Sequence, residues 1–198
     1  MKIIIVGATG TIGKVVTEEF SKRHEIIKVS RSKGDVQVNI ESPKSIEAMY
    51  KHVGKFDAVV STTGEGYFGL LKSATDKDFR KGVDSKLMGQ VNLVLIGQHY
   101  INAKGSFTLT SGILGEDPVV QGSNLSMVNG GINSFVIAAA IELQNDVRIN
   151  AVSPGVVEDS PGHFPYFPGH IPVMMDNVVA AYIRSVEGAV TGKIIKVF

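Results

Sequence analysis

Apolar residues recur along this chain in two alternating rhythms. Short, near-continuous runs occur at Lys2–Val6, Glu25–Ser30, Val36–Ile40, Asp57–Ser61, Ser106–Thr110, Arg148–Val152 and Lys193–Val197. Runs of this kind, rich in β-branched residues, mark strands buried on both faces. Between them, helical spacing covers Lys14–Lys22, Pro43–His52, Thr75–Asn102, Asn124–Leu143 and Pro172–Val186. Ser42 is the N-cap candidate before Pro43, and Gly82 is the candidate break in the long segment. Strands alternating with helices predict an α/β chain: a doubly wound parallel sheet of about seven strands, built from right-handed β-α-β units. No repeat, linker or low-complexity tract interrupts the pattern, so residues 1–198 are expected to form a single domain.

Composition then narrows the function. Lys plus Arg is 20 and Asp plus Glu is 19, a net charge of +1. That balance offers no excess of cations to neutralise nucleic-acid phosphates. The absence of cysteine excludes disulfides, thiol catalysis and Cys-ligated metals. The apolar run after Lys2 is shorter than the ~7–15 residues of a signal peptide, and none approaches the ~18 of a membrane helix. A cytoplasmic protein with no membrane partner is expected. His residues and carboxylates do not recur at ligand spacing, so no metal site is expected.

The chemistry enters at Gly7-Ala-Thr-Gly-Thr-Ile-Gly13, between the first strand and the first helix. Glycines here permit a tight turn, close approach of a pyrophosphate to the backbone, and close helix–strand packing. The helix N-terminus favours the negative charge. Gly7, Thr9, Gly10, Thr11, Ile12 and Gly13 are therefore candidate dinucleotide-binding residues. NAD sites place an acid at the end of the second strand. Here Ser30-Arg31-Ser32-Lys33 stands instead, with no acid until Asp35. Arg31 and Ser32 suit a 2′-phosphate, which favours NADP over NAD.

These motifs resemble those of the short-chain dehydrogenase/reductase superfamily, over almost the whole chain. Asn39-Ile40 lies where the family contacts adenine. Ser61-Thr62-Thr63-Gly64 resembles the segment lining the cofactor after the fourth strand. Thr110-Ser111-Gly112 matches the strand end bearing the catalytic serine. Arg148-Ile-Asn-Ala-Val-Ser-Pro-Gly155 is close to the family's Arg-Val-Asn-x-Val-x-Pro-Gly signature, and implies cofactor contacts at Pro154, Gly155 and Val157. The resemblance implies a single-domain Rossmann fold with strand order 3-2-1-4-5-6-7, and a substrate lid around residues 158–172. It also implies a homo-oligomer through the long helices 75–102 and 124–143.

The catalytic centre departs from the family's Tyr-x-x-x-Lys pair. Leu125 stands at the tyrosine position and Asn129 at the lysine position, while Lys86 replaces an asparagine of the preceding helix. Ser111 alone survives. Candidates for a replacement proton donor are Lys86, Tyr67 beyond the Ser61–Gly64 loop, and His163, Tyr166 or His170 in the lid. Each has a plainer alternative: a solvated lysine, a packed aromatic, a proline-stiffened loop, and for Ser111 a hydroxyl bonding local backbone. Two functions follow. One is an NADP-dependent oxidoreductase acting on a small carbonyl compound. The other is a non-catalytic dinucleotide-binding sensor or partner-binding protein.

Overall fold

Four isoleucine and valine residues in succession leave strand β1 (Lys2–Val6) no face to offer water, and the sheet is built around it. The computed structural model describes residues 1–198. β1 pairs in parallel with β2 (Glu25–Ser30) on one side and β4 (Phe56–Ser61) on the other. With β3 (Val36–Gln37), β5 (Ile101–Thr110), β6 (Arg148–Pro154) and β7 (Ile194–Val197), the order is β3-β2-β1-β4-β5-β6-β7. Every pairing is parallel. This is the single-domain, doubly wound α/β sheet that the sequence pattern predicts.

Alternation along β1 assigns its side chains to two cores. Ile4 and Val6 pack among Met49, Tyr50, Leu93 and Ile132. Those residues come from α2 (Pro43–Val53), α4 (Gly89–Gly97) and α5 (Ser123–Ala139). Ile3 and Ile5 pack on the other face among Val16, Phe20, Val178 and Tyr182 of α1 (Thr11–Ser21) and α6 (Met175–Glu187). No helix is long and apolar enough to cross a membrane.

Several boundaries differ from the sequence pattern for identifiable reasons. The long helical segment divides into α3 (Asp76–Gly82), a π-helical turn (Val83–Met88) and α4. A capping box of Thr75 and Asp78 fixes its start. It ends at Gly97, because Ile101 pairs with Phe56 and Asn102 Nδ2 donates to Asp57 Oδ1 at 2.8 Å; both residues join β5. β3 stops at Gln37, where the chain turns into the Ser42 cap: Ser42 Oγ accepts from the Ser45 N–H at 3.3 Å. α6 begins at Met175 rather than Pro172, since Val173 is held in a parallel bridge to Val157. That bridge closes the base of the 158–172 loop, which contains a 3-10 turn at Pro161–Tyr166.

Candidate functional site

The loops after β1, β2, β4, β5 and β6 meet at the carboxyl edge of the sheet, where the chain order reverses beside β1. Open α/β sheets bind ligands at such a switch point. Two cavities lie there, of about 240 and 300 Å³, and both are lined by Thr62, Thr63 and Gly64. They share these residues as the two ends of one crevice.

The first end is built by the glycine turn. Gly7 has φ +91°, and a Cβ on Gly13 would lie 2.0 Å from the Gly7 carbonyl oxygen, so helix and strand approach as only glycine allows. Gly10 is the N-cap of α1 with no side-chain acceptor and no acid in the first turn. The first N–H groups of that helix therefore face the crevice unpaired, which suits a pyrophosphate. Gly7, Thr9, Gly10, Arg31, Ile40, Thr62, Thr63 and Gly64 line this end. Gly13 is buried behind the turn, and Thr11 and Ser32 point to solvent. Asn39 also lies outside, its Oδ1 accepting from the Glu41 N–H at 3.1 Å.

Arg31 is not free. Its guanidinium lies 3.0 Å from Glu41 and 4.0 Å from Glu65, which in turn is 3.2 Å from Lys81. The sequence reading missed these carboxylates. Glu41 is ten positions away and reaches Arg31 only through the turn after β3, so no local spacing announces it.

The second end gathers the residues that stand at the expected catalytic positions. Ile12, Lys86, Ser111, Leu125, Asn129, Pro154, Gly155 and Val157 all line it. Leu125 and Asn129, four apart on α5, share the face that looks into the crevice. Lys86 leaves the π-helical turn and donates from Nζ to the Ser111 carbonyl oxygen at 3.0 Å. Burial, with no carboxylate opposing it, pushes the Lys86 ammonium down to about 8. Gly64 makes room for this lysine: its φ is +125°, and a Cβ there would lie 2.6 Å from the Lys86 Cα. Gln90, one turn beyond Lys86, also went unread. It accepts from the Thr110 N–H at 2.8 Å and donates to the Thr110 and Lys86 carbonyls at 2.9 and 3.2 Å. Its signal was a polar residue four places from Lys86 within an apolar helix. Ser111 Oγ and Asn129 Oδ1 are buried without a protein hydrogen-bond partner.

Other candidates fall elsewhere. Tyr67 is absent from both linings: Asn124 Oδ1 holds its N–H at 2.8 Å and its hydroxyl packs over Gly69. Ser61 is fully buried and contributes its carbonyl, which accepts from Thr110 Oγ1 at 2.5 Å. Within the loop, His163 and Phe167 reach the second end, and Tyr166 lines an adjoining chamber. His170 instead faces Asp117 at 3.7 Å. Arg148 and Asn150 fasten the frame, donating to carbonyls of Ser185, Val186 and Val190.

Comparison with known proteins agrees with this geometry. Residues 3–167 match the family model described as enoyl-(acyl carrier protein) reductase. A short chain dehydrogenase/reductase of Aspergillus novofumigatus is 28% identical over 125 residues, 62% of this chain and 47% of its own. A peroxisomal 2,4-dienoyl-CoA reductase of Arabidopsis thaliana is 21% identical over 75% of this chain and 53% of its own. The chain thus spans about half the length of these curated relatives. Among solved structures, the protein lin1944 of Listeria innocua superposes with TM-score 0.98 at 46% identity, each chain covered completely. A small-chain dehydrogenase in complex with NADPH gives TM-score 0.89 at 25% identity, covering 100% of this chain and 96% of that one.

Proposed function

Because this chain belongs to the short-chain dehydrogenase/reductase superfamily, a family of oxidoreductases, we propose that it reduces a small carbonyl compound with NADPH, using Lys86 as proton donor. The observation that carries this reading is the crevice itself, with a pyrophosphate cradle at one end and the Lys86 ammonium beside Ser111 at the other. NADP is favoured by Arg31 at the ribose end and by the NADPH-bound structural neighbour. Gly7, Thr9 and Gly10 would hold the pyrophosphate, and Pro154, Gly155 and Val157 the nicotinamide. The bound nicotinamide supplies hydride.

The protein's own part is proton supply and charge stabilisation. Lys86 Nζ spends one of its three hydrogens on the Ser111 carbonyl, leaving two for a substrate oxygen. The unpartnered Ser111 hydroxyl is the second donor toward developing alkoxide charge. An ammonium that titrates near 8 transfers its proton readily at neutral pH and recovers one from water.

The test is NADPH consumption with aldehydes and ketones, comparing wild type, Lys86→Met and Ser111→Ala. Lys86→Met is expected to lower kcat by about 10²–10⁴ with cofactor affinity retained. Wild-type turnover in that variant removes the assigned role. NADPH binding without turnover of any substrate favours instead a cofactor sensor, the reading that Leu125 and Asn129 on the catalytic face support. Self-association through α4 and α5 belongs to the same proposal. It is supported by the exposed Leu95, Met127, Ile137 and Ile141, and light scattering tests it.

A further inference from the structure

Beyond the nicotinamide end, the crevice opens into a third chamber of about 580 Å³. Leu114, Leu125, His163 and Phe167 line both spaces, and Phe68 and Tyr166 complete the far wall. The Phe68 and Tyr166 rings meet edge to face at 5.1 Å, and aromatic walls of this kind hold another ring by edge and face contacts.

The chamber lining holds no Lys, Arg, Asp or Glu. No Lys or Arg occurs between Lys55 and Lys72, nor between Lys104 and Arg184 except Arg148. Arg148 is committed to the carbonyls of Ser185 and Val186, away from the chamber. Lys196 is paired with Glu116. The carboxylates nearest in sequence are Glu65, Glu116, Asp117, Glu158 and Asp159; Glu65 is paired with Lys81 and Glu116 with Lys196, and none of the five lines the chamber. Phosphate-bearing or carboxylated substrates need a cation along their path. Lys86, at the reacting end, is the only one lining these spaces.

Resting on the reductase reading, we infer that the substrate is a free, uncharged aryl aldehyde or ketone, and not a thioester on a phosphate-bearing carrier. The ring occupies the chamber and the carbonyl oxygen meets Lys86 and Ser111. NADPH gives hydride to the carbonyl carbon, Lys86 gives a proton to the oxygen, and the alcohol and NADP⁺ leave.

Three probes separate the outcomes: benzaldehyde, 4-formylbenzoate, which adds only a carboxylate, and crotonyl-CoA. Benzaldehyde is expected to have a kcat/KM at least tenfold above 4-formylbenzoate, with no NADPH consumed by crotonyl-CoA. Phe68→Lys is expected to narrow the gap between the two aldehydes severalfold by supplying the missing cation. Faster turnover of either anionic probe overturns the substrate class while leaving the reductase reading intact. If neither these probes nor the wider aldehyde and ketone panel is reduced, the reductase reading fails separately. Calorimetric titration of the NADP-loaded protein then decides: preferential binding of benzaldehyde supports the chamber's assignment. Equal or tighter binding of 4-formylbenzoate, or no binding of either, overturns it.

Discussion

An ammonium held against a backbone carbonyl, with no carboxylate in reach, loses hydration without gaining a counter-charge. Lys86 sits in that position. Its folded-state pKa, about 8, lies below the ordinary 10.5, so the protonated donor is depleted as pH rises through about 8. The reductive kcat/KM is expected to fall over that interval, and Lys86→Arg, whose guanidinium stays charged and does not give up its proton, is expected to lose the break together with most of the rate. Stability takes the opposite sign. Between about 8 and 10.5 the unfolded chain binds more protons at this residue, so its contribution to folding grows with pH. Arg31 presents the converse case, a cation already engaged by Glu41 and Glu65. A 2′-phosphate must compete with them. Glu41→Gln is expected to tighten NADPH binding by about two- to fivefold, the scale of an exposed ion pair, with NADH little changed. Fluorescence titration of both cofactors reads the difference.

At the scale of elements, the π-helical turn between α3 and α4 is what aims Lys86. Such bulges shift the face that a helix presents and recur at functional sites. Two of the contacts that hold it can be tested by substitution. Gly64 admits the helix backbone, and Gln90 ties it to the end of β5. Gly64→Ala places a side chain at φ +125° against the Lys86 Cα, with an expected loss of about 1–3 kcal/mol and weakened cofactor binding. Gln90→Leu strands the buried N–H of Thr110. It is expected to cost about 1–3 kcal/mol by urea unfolding and to lower kcat more than it raises KM. Apart from Gln90 standing out as a polar residue in an apolar helix, neither contact has a local signature in the sequence. The strands do, because a strand covered on both faces must be apolar throughout. The glycine turn does as well, because its spacing repeats a steric requirement. A π turn differs from an α-helix by a shift in hydrogen-bond partner that side-chain periodicity scarcely records. That is why Lys86 was legible as a candidate while the means of its placement was not.

For the molecule as a whole, the crevice couples folding to the cofactor, since the linings come from both ends of the chain. Ligand binding to the folded state alone stabilises by about 2.7 kcal/mol at a hundredfold excess over Kd. At roughly 2–4 °C per kcal/mol for a chain of this size, NADPH is expected to raise Tm by about 5–11 °C, and NADH by less at equal concentration. A thermal scan checks both. The glycine turn and the segments after β4 and β6 were readable as candidates because each lies within a single turn after a strand, whereas the sheet order followed from the family resemblance, and Thr11, Ser32 and Asn39 lie outside the crevice. The apolar chamber was less readable, since Phe68 and Tyr166 become neighbours of Leu125 only when two separate loops converge on α5. One of those loops is pinned at its base by the Val157–Val173 bridge, at a residue that itself lines the crevice. Its two ends are thereby fixed relative to each other whatever lies between them. The loop has the build of an exchangeable cartridge: a change within it alters the wall of the far chamber while the bridge keeps the end of β6 and the start of α6 in place.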